Sequence, residues 1–364
     1  MGARNGGDRQ NKYLGMFDRA EADRFEALVD WIRRTLGTRD LPIVPASGDA
    51  SFRRYYRVAH EGVTRIVMDA PPEREDCRVF ADIAVRLARA GLHVPEVLAG
   101  DFGRGFLLLT DLGTRLYLDE LDPRSAPVLY ADAMHALHTM QERADGTGLP
   151  SYDRAWLLRE MELFRVWLLE KHLGLRLSDA EQGTLHGTFG LLADAALAQP
   201  QVFVHRDYHS RNLLYTAGDN SGGHGPGGNN PGVIDFQDAV LGPVCYDLVS
   251  LLRDCYIRWP EAEVHAWMMG YRERSGPALR GVDPAMFLRW FDLMGVQRHL
   301  KASGIFARLR HRDGKSGYLG DVPRTVGYLV DVSRGYPELR DLNAFLCERV
   351  LPVLHGDRSR TLAL

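Results

Sequence analysis

The stretch that most constrains this chain reads Val202-Phe203-Val204-His205-Arg206-Asp207-Tyr208-His209-Ser210-Arg211-Asn212-Leu213-Leu214-Tyr215, with Gly232-Val233-Ile234-Asp235-Phe236-Gln237-Asp238 downstream. An apolar strand over Gln201–Val204 delivers Asp207, a five-residue step along the same loop delivers Asn212, and a second short strand delivers Asp235. Three oxygen-bearing side chains can then converge. Mg²⁺ takes oxygen ligands, keeps several waters and needs only one or two protein groups beside substrate phosphates, so Asn212 and Asp235 suffice as ligands. Asp207 is left to orient an acceptor hydroxyl and take its proton during phosphoryl transfer. Read singly, each of these residues is a turn or capping residue. Read together as H-x-D-x-x-x-x-N followed by an apolar-framed I-D-F, they point to catalysis, with His205 expected to be structural, holding the loop by hydrogen bonds.

The rest of the composition is compatible with a globular enzyme. At 364 residues, 45% of them hydrophobic, the chain is long enough for two or more packed lobes. Lys plus Arg number 45 against 48 Asp plus Glu, a formal charge of −3, which gives no long-range positive field for nucleic acid or an anionic membrane. The four cysteines show neither C-x-x-C spacing nor scaffold density and fit reduced thiols. The N-terminal residues lack an apolar core for a signal, and charges interrupt every long hydrophobic run, so a cytoplasmic protein without a membrane span is expected, and a monomer.

Periodicity divides the chain further. Residues 1–15 read as a flexible tail. Phe25, Leu28, Val29, Ile32 and Leu36 mark an amphipathic helix over Phe17–Gly37. Short strands follow at Ile43–Pro45, Tyr55–Val58 and Arg65–Met68, then a helix from Glu75 to Ala90 and a strand pair within Val97–Thr110, together an antiparallel sheet with helices over 16–110. Beyond Leu112-Gly113 the pattern turns helical: Pro127–Arg143, Trp156–Leu173, Asp179–Ala198, Tyr246–Ile257, Glu261–Arg274 and Pro284–Ala302, giving a second domain over 111–364. The Gly- and Asn-rich stretch Thr216–Pro231 reads as a hairpin tip. Its Gly223, Gly225 and Gly228 match a dinucleotide fingerprint only by spacing, and Gly314-Lys315-Ser316 lacks the upstream glycine and strand of a phosphate-binding loop.

These residues carry a resemblance. The chain resembles the aminoglycoside phosphotransferase and choline kinase-like family over nearly its whole length, with His205–Asn212 matching the catalytic loop and Ile234-Asp235-Phe236 the metal-binding segment. The resemblance implies an α+β, protein-kinase-like two-lobed fold with a small antiparallel-sheet N-lobe and a mainly helical C-lobe, using ATP and Mg²⁺. It also implies that Gly48, Asp49 and Ser51 cover the nucleotide and that Thr110, Asp111 and Leu112 form the hinge against which adenine sits. Tyr55–Val58, Met68–Glu73, Asp207–Asn212, Ile234–Ala239 and Gln297–Lys301 further resemble the anomeric kinases of N-acetylmuramate and N-acetylglucosamine, implying transfer to the sugar C1 hydroxyl in recycling of cell-wall sugar.

One departure stands out: Ile66-Val67-Met68-Asp69 offers no phosphate-gripping lysine on the third strand. Arg53 and Arg54, expected in the loop before the second strand, are candidates to replace it, because a guanidinium bonds two phosphate oxygens at once; otherwise they are solvated hairpin charges. His209, Arg211, Gln237 and Asp238 are expected to meet the sugar, as is Arg298 or His299, with Trp259 for a ring face; the cations between Gln297 and Lys315 are available to the lactyl carboxylate, although such a run usually reads as a solvated helix face and the tryptophans as core. Aminoglycoside phosphorylation and a catalytically silent scaffold are the competing functions.

Overall fold

The computed structural model describes residues 19–47, 52–216 and 230–361. The expected tail over 1–15 and the glycines of the Thr216–Pro231 stretch lie outside them. The described chain divides into two compact units, the first running up to Arg89 and including His93–Thr114, the second comprising Ala90–Leu92 and Arg115 onward.

In the first unit, α1 (Arg19–Leu36) buries Phe25, Leu28, Val29, Trp31 and Ile32, which recur on one face of the helix. The face packs on a five-stranded antiparallel sheet of β1 (Ile43–Ser47), β2 (Arg54–His60), β3 (Val63–Asp69), β4 (Val97–Asp101) and β5 (Phe106–Thr110), in spatial order β1-β2-β3-β5-β4. Ile43, Tyr56, Val58, Val67, Phe106 and Leu108 supply the sheet side of this core. Each such side chain contributes about 1.5–3 kcal/mol when fully buried. The β2–β3 hairpin turns on Glu61 and Gly62, both at positive φ (52° and 77°), the twist that a two-residue connection between antiparallel strands requires. Helix α2 (Cys77–Ala90) joins β3 to β4.

The second unit is mainly helical: α3 (Tyr117–Glu120), α4 (Ala126–Arg143), α5 (Arg154–Leu163), α6 (Asp179–Leu197), α7 (Tyr246–Leu252), α8 (Glu261–Arg274), α9 (Pro284–Asp313), α10 (Val322–Ser333), α11 (Arg340–Phe345) and α12 (Leu351–Thr361). Two small antiparallel ladders are set among them, β6 (Gln201–Val204) with β9 (Val240–Pro243), and β7 (Leu213–Leu214) with β8 (Gly232–Val233). Among the described residues no helix is long and apolar enough to cross a membrane.

Four expectations change, and one of them is that the helix expected over Tyr246–Ile257 stops at Leu252. The helix expected over Trp156–Leu173 is α only to Leu163 and continues as a π-helix over Phe164–His172. Helix α9 runs on to Asp313, where Gly314 closes it in the left-handed conformation (φ 71°), so the Gly-Lys-Ser triplet is a helix terminus. The cation run is not a uniformly solvated face: Arg298, His299 and Lys301 are buried, while Arg310, His311 and Arg312 are exposed.

The long helix approaches the α-to-π junction closely at Gly304, where an added Cβ would stand 2.3 Å from the Leu163 carbonyl carbon and 2.5 Å from the Phe164 nitrogen. Both neighbours are backbone and cannot swing away. Gly304→Ala is therefore expected to lower unfolding free energy by about 1–3 kcal/mol in urea titration. Gly317→Ala, with open space at its Cβ, is expected to change it by less than about 0.5 kcal/mol.

Candidate active site

Strand β6 is locked to β9 from Gln201 through Val204 and then enters the loop that carries the motif. There the backbone turns through Arg206 at φ 78°, a conformation that costs a non-glycine residue about 1–2 kcal/mol. Two groups hold it. The fully buried Asp247, at the start of α7, accepts the His205 N–H at 2.7 Å and the Arg206 N–H at 3.0 Å. The Arg206 side chain donates to Glu160 Oε1 at 2.6 Å and lies over the Trp156 ring at 4.8 Å. Glu160 also accepts from Tyr152 and stands 3.4 Å from Lys301, whose ammonium donates to Tyr246 Oη at 2.8 Å. Burial works to raise the Glu160 carboxyl, and the Lys301 and Arg206 cations outweigh it, holding the group below its ordinary range.

The His205 ring is buried beneath the loop. Its Nδ1 accepts the Asp207 N–H at 3.3 Å, which leaves the proton on Nε2 to be donated to the Ile234 carbonyl at 3.0 Å. One imidazole thus ties the strand end bearing Asp207 to the segment bearing Asp235. Asn212 makes a second tie: Nδ2 donates to the Asp207 carbonyl at 3.0 Å and faces Asp235 Oδ2 at 3.4 Å. The β7–β8 ladder sets this register, because Leu213 pairs with Val233 and the Ile234 N–H donates to the Asn212 carbonyl at 3.1 Å. Asp235, at φ 64°, takes the Gln237 amide on Oδ1 at 2.9 Å. Asp207, Asn212 and Asp235 are therefore neighbours, and Asp207 is half-buried rather than sealed. Burial pushes the Asp207 carboxyl up, but Lys301, His209, Arg206 and Arg298 together lower it to about 2.

Among the described residues no three His, Cys, Asp or Glu side chains group as metal ligands. Asn212 and Asp235 instead offer a pair of hard oxygen donors, since Asn212 spends its Nδ2 on the bonds above and keeps Oδ1 apart from them. That set fits Mg²⁺, which needs few protein ligands.

The other expected residues are placed as follows. Gly48, Asp49 and Ser51 lie outside the described residues. Arg53 is buried to 9% exposure. Arg54 is the first residue of β2, not part of the loop, and is half-buried and ion-paired with Glu21 of α1. Thr110 ends β5 and its hydroxyl accepts the Glu96 N–H, while the Asp111 carboxylate is gripped by Arg57 at 2.6 and 2.9 Å and Leu112 is buried. His209 packs edge-on to Tyr256 and has a buried Nδ1 without a hydrogen-bond partner; Gln237 Oε1 is likewise buried and unpartnered. Asp238 is exposed, and its carbonyl faces Arg206. Arg211 lies over Tyr256. Trp259 is buried, its indole N–H donating to Tyr130 Oη at 2.7 Å, and Arg298 is buried with its guanidinium 3.3 Å from Cys255 Sγ.

Four supporting residues went unnoticed in the sequence: Asp247, Glu160, Lys301 as a buried cation, and Asp254, which accepts both the N–H and the hydroxyl of Ser210. Only a charged side chain inside apolar surroundings, as in Tyr246-Asp247-Leu248-Val249, signals such residues.

Comparison with known proteins agrees with this geometry. A family model described as the phosphotransferase enzyme family matches residues 42–285. An N-acetylmuramate/N-acetylglucosamine kinase of Pseudomonas putida is 48% identical over 308 residues, covering 84% of this chain and 88% of the relative. Its namesake in Pseudomonas aeruginosa is 46% identical over 335 residues, 89% of this chain and 96% of the relative. Among solved structures, the ADP-bound aminoglycoside phosphotransferase APH(2'')-Ib superposes with a TM-score of 0.56 at 15% identity, covering 84% of this chain and 98% of that one. A Plasmodium vivax ethanolamine kinase does so at 0.59 and 11%, covering 94% and 98%. These two establish the kinase-like fold alone. With a family model spanning residues 42–285 and relatives near half identity across most of its length, the chain belongs to the phosphotransferase enzyme family.

Proposed function

We propose that this phosphotransferase moves the terminal phosphate of ATP to the anomeric hydroxyl of N-acetylmuramate or N-acetylglucosamine. The observation that carries the chemistry is the meeting of Asp207, Asn212 and Asp235 around one loop; the sugar comes from relatives at 48% and 46% identity.

Asp207 is the group we assign to the acceptor. Held near a value of about 2, it is too weak a base to ionise a free alcohol. It accepts a hydrogen bond from the hydroxyl, aims the oxygen at phosphorus, and takes the proton as the new P–O bond makes that oxygen acidic, while the bond from the γ-phosphorus to the bridging oxygen breaks and ADP leaves with that electron pair. Asn212 and Asp235 are the groups that would hold Mg²⁺, and the chemistry such an ion supplies when bound is neutralisation of charge on the phosphate oxygens. His205, neutral and hydrogen-bonded at both nitrogens, keeps the Asp207 and Asp235 segments in register. We assign the nucleotide to Gly48, Asp49, Ser51, Arg53, Thr110, Asp111 and Leu112, and sugar contacts to His209, Arg211 and Gln237, two of which carry the unpartnered buried atoms. We assign the enzyme to the cytoplasm, a reading supported by its proposed use of ATP and by the lack, among the described residues, of a helix long and apolar enough to cross a membrane.

Purified protein with ATP and Mg²⁺ is expected to turn over one or both N-acetyl sugars and to give an anomeric phosphate by phosphorus NMR; turnover of kanamycin alone, or ATP binding without transfer to any sugar, contradicts the reading. Asp207→Ala is expected to lower kcat by about 10²- to 10⁴-fold. A pH effect on stability follows from His205. Burial lowers it from 6.5 to about 4, with nearby Asp207 opposing. The unfolded chain therefore takes up this proton first, and the contribution that is whole above pH 6.5 is lost as pH falls toward 4, by up to about 3 kcal/mol. His299 and His138, also lowered by burial, add to the slope in every variant. The difference between wild type and His205→Gln in urea titrations at about pH 7 and about pH 5 isolates the residue: the variant is expected to lose less on acidification.

A further inference from the structure

Arg211 stands between Asp207 and Asn212 on the catalytic loop and is half-buried. Its guanidinium lies over the Tyr256 ring at 4.7 Å and the Tyr318 ring at 5.4 Å. Tyr256 follows α7, and Tyr318 belongs to the 3-10 turn Ser316–Asp321 after α9. Phe306 of α9 braces both rings, at 6.1 and 5.8 Å between centroids. Two aromatic rings thus flank one cation, and a third braces them.

Stacking engages the faces of a guanidinium and leaves the N–H donors at its edge. Elsewhere in this unit those edges are spent: Arg206 on Glu160 at 2.6 Å, and Arg253 on Asp292 at 2.7 Å. Among the described residues no carboxylate pairs with Arg211 and no carbonyl accepts from it. The neighbouring His209, which packs on the same Tyr256 ring, adds a buried Nδ1 without a partner. An unpaired guanidinium on the loop that carries the acceptor carboxylate is suited to an anion that arrives with a substrate.

The two sugars differ in one such group, the carboxylate of the lactyl ether, which N-acetylmuramate carries and N-acetylglucosamine lacks. We infer that Arg211, held by Tyr256 and Tyr318, receives this carboxylate and sets the preference between the two sugars. The inference rests on the sugar-kinase reading above. Arg298, one of the α9 cations expected to be available to this carboxylate, is buried against Cys255. The other source of an anion is a nucleotide phosphate, and the test separates the two.

The experiment is kcat/KM for each sugar, and KM for ATP, in wild type, Arg211→Gln and Arg211→Lys. The N-acetylmuramate to N-acetylglucosamine ratio is expected to fall by about 10- to 100-fold in Arg211→Gln, the range of a charged hydrogen-bonded contact. Arg211→Lys, which keeps the charge and loses the planar fork, is expected to fall in between. Damage to the catalytic loop lowers both sugars alike and cancels in the ratio. A ratio equal to that of wild type overturns the inference, and so does a constant ratio with a raised KM for ATP, which assigns Arg211 to phosphate. Wild type active on N-acetylglucosamine alone also overturns it while leaving a sugar kinase; wild type inactive on both sugars removes the underlying reading and this inference with it.

Discussion

The Asp247 carboxylate, buried under the catalytic loop, takes two consecutive backbone amides, those of His205 and Arg206, at 2.7 and 3.0 Å. The course of the backbone from β6 to Asp207 depends on that pair of bonds. Without them the chain has no reason to leave β6 through a left-handed Arg206, and the residue after it would not face Asn212. The interaction is costly to build, since burial pushes the Asp247 carboxyl up to about 7 even against the pull of the two amides. A buried carboxylate kept at that cost, with backbone donors rather than a cation as partners, serves to fix a loop rather than to add stability.

The layer around it follows the same logic with charge. Glu160 anchors Arg206 from α5, Lys301 anchors Glu160 from α9, and Asp254 holds Ser210 from the loop after α7. Three separate elements thereby grip one loop of eight residues. Lys301 and Arg298 also place positive charge near Asp207, which keeps it ionised in surroundings that would otherwise favour the neutral acid. The result is a carboxylate better suited to aiming a hydroxyl than to stripping it, the role that phosphoryl transfer through a loose transition state requires.

Much of this was legible in the sequence where the signal is local. The amphipathic period of α1, the Glu61-Gly62 turn and the spacing from His205 to Asn212 each lie within a few residues, so the sheet and the motif could be read directly. What escaped reading depends on partners far along the chain. Asp247 acts on amides 41 and 42 positions earlier, Lys301 on a glutamate in another helix, and Arg54 on α1. A cluster of cations along α9 looks like a solvated face until the carboxylate and tyrosines that bury its first half are in place. Trp259 differs in the opposite sense: an aromatic near a turn suggests a sugar platform, while its only polar atom is taken by Tyr130, 129 positions earlier.

The most direct test of the account is kcat of Asp247→Asn alongside its far-ultraviolet circular dichroism. An asparagine keeps one acceptor oxygen but sets an N–H donor against the second backbone amide, so the loop loses its shape while the buried volume is kept. The account predicts a folded protein whose kcat falls by about 10- to 100-fold, the cost of one unsatisfied buried donor. A folded variant with the turnover of wild type would contradict it.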